Sequence, residues 1–157
     1  MNYEELLIES DNIGLMVKER NLRANKGRIM GRRIAISTNI SSNEKNCVLA
    51  EELGHHYTTS GDILNQLTVS DFKQELRARH WAYEKLITFE GLIDCFVNGI
   101  FLKNEIADYF NVTEDFLSDA LNYYKQKYGI RITKDDYIIY LEPALSIEKI
   151  KYRNEGF

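Results

Sequence analysis

The chain has 157 residues, 44% hydrophobic and 28% charged, with a formal net charge of −4. That length suits one domain with a core of its own, and the aromatic share of 11% argues against disorder. The acidic balance disfavours non-specific attachment to nucleic acid or to an anionic membrane, which both require a surplus of Lys and Arg.

Residues 2–10 read as a short helix. The acidic start, Met1 to Glu5, has no apolar run behind it and is not a signal peptide. Two β-rich runs follow, Ile13–Val17 and Ile29–Ile36, separated by a turn-like stretch over 21–27, which predicts a two-stranded hairpin. The basic residues clustered here (Arg20, Arg23, Lys26, Arg28, Arg32, Arg33) read as the solvated side of that hairpin.

The period then changes. Ser41-Ser42-Asn43-Glu44 has the S-x-x-E spacing of a capping box, so a helix is expected from about there to Thr58. After a loop to about Val69, Ser70 or Asp71 can cap a second long helix, and Leu92–Leu102 predicts a third. That third stretch is interrupted by Asp94, Asn98 and Gly99 and is too short and polar to cross a bilayer. Residues 104–128 read as two short helices around a turn at Phe110-Asn111-Val112-Thr113, with the spacing of a helix-turn-helix. The second of them opens with Glu114, Asp115 and Asp119, which would face phosphates, so packing on the core is the expected role. Tyr137–Leu141 reads as a strand or a packed extension. The class expected is α+β, with a small N-terminal antiparallel sheet on a mainly helical core. Cys47 and Cys95 form no C-x-x-C pair and read as buried thiols in a reducing compartment, with the cytoplasm as the expected location.

The chemistry gathers on the helix around Glu51-Glu52-Leu53-Gly54-His55-His56. At roughly 100° per residue, Val48, Glu51, Glu52, His55 and His56 fall within an arc of about 140°, beside the apolar face. Residues four apart can bind one ion together, as Glu51 with His55 or Glu52 with His56. A catalytic zinc takes three protein ligands, an open position and a nearby base. With Glu51 and His55 on the metal, Glu52 projects beside it as that base. On the second long helix Glu75 falls near the middle of an apolar stripe, where a carboxylate is costly to bury unless a metal or Arg79, one turn on, pairs with it. Glu84 and His80 point elsewhere and are poorer ligands.

Three segments resemble the ImmA/IrrE family of metallopeptidases found on phages and integrative elements. They are Glu44–Thr58, similar to that family's zinc helix; Glu75–Ala82, similar to its E-x-x-A-x-x-F-A segment; and Ile106–Leu117, similar to the helical segment after the catalytic core. The resemblance covers about residues 12–130. It implies a single zincin-like domain over 1–157, with a catalytic core over about 12–100 and a helix-turn-helix-like segment over about 104–130. It implies His55 and Glu75 as metal ligands, Glu52 as general base, and Glu51 at the position of the family's first His ligand, with His56 as the alternative. The cofactor implied is zinc, or another divalent metal suited to a more oxygen-rich site. The function implied is an antirepressor endopeptidase that cleaves a helix-turn-helix repressor, with no direct nucleic-acid or membrane contact.

Overall fold

The computed structural model describes residues 1–59 and 71–152. Helix α1 (Tyr3–Asn12) opens on a capping box in which Asn2 and Glu5 exchange hydrogen bonds. Strands β1 (Met16–Arg20), β2 (Gly27–Met30) and β3 (Arg33–Ser37) form a three-stranded sheet in the order β1-β3-β2.

This sheet is mixed, not the purely antiparallel hairpin expected from the sequence. The true hairpin joins β2 to β3 through a tight turn at Gly31, whose φ of +59° is left-handed. The sequence reading ran a single strand through that turn. The stretch over 21–26 is instead the connection that carries the chain from β1 past the sheet, so that β1 pairs parallel to β3. Alternation along the strands buries Ile34 and Ile36 on one face and leaves Met16, Lys18, Arg28, Met30 and Arg33 exposed on the other.

Helix α2 (Ser42–Thr59) starts where the S-x-x-E signal places it, with Ser41 Oγ accepting from the Glu44 N–H at 3.2 Å. The Glu44 carboxylate turns to Lys26, tying the β1–β2 connection to the helix. Helix α3 (Asp71–Leu86) makes its largest contact with α2; the expected loop before it and the Ser70 cap lie outside the described residues. The third predicted helix lies earlier than its apolar run suggested, as α4 (Phe89–Val97), because the Thr88 side chain caps it by accepting from the Gly91 N–H.

Helices α5 (Lys103–Tyr109) and α6 (Glu114–Tyr128) are the expected pair, and Thr113 caps α6 by accepting from the Phe116 N–H. Phe116, Leu117, Ala120 and Tyr124 of α6 are buried, and the Tyr124 hydroxyl donates to the Ile87 carbonyl at 2.6 Å just past α3. A second sheet, missed in the sequence apart from its middle strand, follows: β4 (Arg131–Lys134), β5 (Tyr137–Tyr140) and β6 (Ser146–Lys149), all antiparallel. One continuous core runs from Leu6 through α2, α3 and α6 to Ile139. The architecture is α+β, as the sequence indicates. Among the described residues no helix is long and apolar enough to cross a membrane.

Candidate metal and peptidase site

Leu49, Ala50 and Leu53 of α2 face the core and are fully buried. That fixes the rotation of the helix, and Val48, Glu51, Glu52 and His55 then line a cavity of about 750 Å³. From α3 come Glu75, Arg79 and Tyr83, one helical turn apart on one stripe. Strand β2 supplies a second wall and α6 contributes Phe116 and Asp119.

Two close approaches set the spacing. A Cβ at Gly54 would lie 2.3 Å from the Ala78 carbonyl oxygen, so only glycine lets α2 and α3 cross this tightly. That crossing brings His55 Nε2 of α2 within 3.3 Å of Glu75 Oε1 of α3. A Cβ at Gly27 would lie 2.4 Å from Val48 Cγ1 and 3.0 Å from Glu52 Oε1, so β2 reaches the same helix face. There the Ile29 backbone N–H acts on the Glu52 carboxylate in the sense that favours its ionised form.

The electrostatics are those of crowded carboxylates. Burial, with the charges of Glu51 and Glu75 added, pushes Glu52 from 4.5 up to about 7, and the Ile29 N–H only partly opposes this. Glu51 is also raised, by burial first and then by Glu75 and Asp119, while Arg79 and Lys26 pull it down. A carboxyl poised near 7 has the proton affinity of a general base at neutral pH. Burial pushes the Cys47 thiol up to about 12, so this cavity-lining cysteine is a poor nucleophile.

The donor chemistry fits a divalent ion: one imidazole and two carboxylates line the same cavity. The 3.3 Å between His55 and Glu75 matches the separation of two ligands bound at about 2.0–2.1 Å to one tetrahedral ion. Glu51 stands near enough to Glu75 for their charges to repel, but it does not join the pair. Among the described residues, no three His, Cys, Asp or Glu side chains are gathered tightly enough to hold an ion.

Several expectations change. Glu75 is not buried in an apolar stripe: its side chain is 53% exposed, and Phe72 and Leu76 beside it are exposed as well. Its partner is His55, and Arg79 has no ion pair among the described residues. His56 does not line the cavity; it lies edge-on to Tyr57, which stacks on Trp81. Glu84 and His80, judged poor ligands, face α6, where Glu84 holds Lys127 and the His80 ring stacks on Tyr123 at 4.1 Å. The sequence places Arg79 on the face of Glu75, as its expected partner, and the structure has it on the cavity wall without that pairing. Tyr83, four residues further on, joins the same wall, and Gly54 sets the approach; neither role was assigned from the sequence.

A helix bearing adjacent carboxylates and a histidine is thus crossed by a second helix that brings a third carboxylate to the same cavity. The chain belongs to the family Peptidase M78, the IrrE N-terminal-like domain, whose profile matches residues 10–122. It is thus a member of a metallopeptidase family in the ImmA/IrrE group. No curated protein matches it. The second sheet, β4 to β6, lies beyond the matched residues.

Proposed function

We propose that this chain is a metal-dependent endopeptidase that acts as an antirepressor, cutting a helix-turn-helix repressor of a phage or mobile element. The observation that carries the peptidase reading is the His55–Glu75 pair beside a half-buried, proton-avid Glu52 in one cavity. The repressor as substrate is what family membership suggests.

His55 and Glu75 would hold the ion, zinc or another divalent metal, with Glu51 as a further carboxylate on the same cavity wall. When bound, such an ion acidifies a water and polarises the scissile carbonyl. Glu52 takes the proton from the attacking water and returns it to the leaving amine. Arg79, exposed and without an ion pair among the described residues, and the Tyr83 hydroxyl are two donors on the cavity wall that the oxyanion could use. Their place one and two turns beyond Glu75 puts them on the same side as the metal ligands.

The test is to incubate the protein with purified helix-turn-helix repressors encoded beside its gene and follow cleavage. Wild type is expected to cut one of them, and Glu52→Gln to cut at least ~100-fold more slowly. Equal rates would remove Glu52 from the mechanism. Tight binding of a repressor with no cleavage by either protein would replace hydrolysis by simple sequestration.

A further inference from the structure

The outer face of the N-terminal sheet carries a second feature, a groove that among the described residues shares only Arg28 with the walls of the peptidase cavity. Five of the chain's 20 Lys and Arg residues (Lys18, Arg20, Arg28, Arg32, Arg33) line one groove of about 860 Å³, and among the described residues no Asp or Glu does. Strand register explains the arrangement. Lys18 and Arg28 flank Ala35 across the three strands, so two cations face each other over a methyl group. In the next row Met16 and Met30 flank Arg33. Because side chains alternate, this face is turned away from Gly27 and Ile29, which meet α2.

All five cations are exposed, and none forms an ion pair among the described residues. The nearby carboxylates of Glu19 and Glu44 are taken by Lys45 and Lys26. Lys18 and Arg28 lie two strands apart with Ala35 between them, and like charges on one exposed face repel, while in a chain of net charge −4 nothing in the composition forces them together. The arrangement gains free energy only when an anionic group lies between them.

The floor and rim decide which anion. Met16 and Met30 are 52% and 63% exposed, flexible apolar side chains of the kind that adapt to protein partners. No aromatic residue among those described lines the groove, so they offer nothing for bases to stack on. The acidic remainder of the surface opposes a long phosphate backbone. We infer that the outer face of the β1-β3-β2 sheet docks an acidic, partly apolar segment of a partner protein, with carboxylates between Lys18 and Arg28 and apolar side chains against Met16 and Met30. The inference does not rest on the peptidase reading.

The test uses the full chain and a labelled synthetic peptide of alternating Glu and Leu, with a Lys/Leu peptide and a mixed-sequence DNA duplex as comparisons, read by fluorescence anisotropy. The acidic peptide is expected to bind, and to bind at least tenfold more weakly between about 50 and 200 mM salt. Lys18→Glu with Arg28→Glu is expected to weaken it by at least tenfold more, and Lys18→Gln with Arg28→Gln by less. Both pairs of substitutions are on exposed side chains, so circular dichroism and Tm should match wild type. An acidic peptide bound no better than the basic one, or bound equally by the Lys18→Glu/Arg28→Glu protein, would overturn the inference. So would a duplex bound more tightly than the acidic peptide, which would assign the face to nucleic acid instead.

Discussion

Glu52 carries two opposed demands at once. Its proton affinity suits it to accept a proton, but the ionised form is disfavoured where it sits. The sign follows from the raised value. Neutral Glu52 stabilises the metal-free fold fully below about 4.5, and that contribution is lost as the pH rises through about 7. Glu52→Gln is therefore expected to abolish catalysis and yet stabilise the metal-free protein at pH 8 by about 2–3 kcal/mol, with little gain at pH 4. Thermal melts of both proteins at the two pH values check this, and equal melting at pH 8 would count against it. Asn46 shows a different economy. Fully buried on α2, it donates to the Met1 carbonyl at 3.1 Å and the Asn111 carbonyl at 3.0 Å, pinning two distant loops to the site helix. Asn46→Ala is expected to cost about 2 kcal/mol in urea unfolding while leaving the cavity side chains in place.

The crossing of α2 and α3 is what converts sequence into a site. The sequence shows the chemistry of each helix separately: Glu51, Glu52 and His55 share one arc because α-helical rotation is fixed, and that arithmetic survives in the structure. How closely the second helix approaches is not written in periodicity. It depends on the absence of a side chain at Gly54, for which the helical spacing gives no signal. Gly54→Ala is expected to force the helices apart, separate His55 from Glu75, weaken metal affinity at least tenfold and lower stability by about 1–3 kcal/mol. Metal titration together with denaturation measures both. The exposure of Glu75 was not legible either, because helical angle gives a direction and says nothing about whether another element covers it. The sheet failed for a similar reason: a left-handed residue at Gly31 ends a strand that β-propensity alone continues.

At the scale of the whole molecule, the core joins segments that the family profile treats unequally. Ile139 of β5 lies outside the matched residues and is nevertheless fully buried in the cluster that holds α2 and α3. Ile139→Ala is expected to destabilise the whole fold by about 2–4 kcal/mol, read as a single cooperative unfolding transition. A separate, early transition for the last sheet would contradict that. The α5–α6 pair was recognised from its apolar spacing, and its acidic face meets the cavity through Asp119. The central claim remains that these elements exist to hold a metal between α2 and α3. The measurement is the divalent metal content of the purified, untagged protein after equilibration with zinc, manganese or cobalt, beside Glu75→Ala. About one ion per chain in the wild type, lost in the folded variant, is the predicted result. A folded wild-type protein that takes up none of the three metals would contradict it.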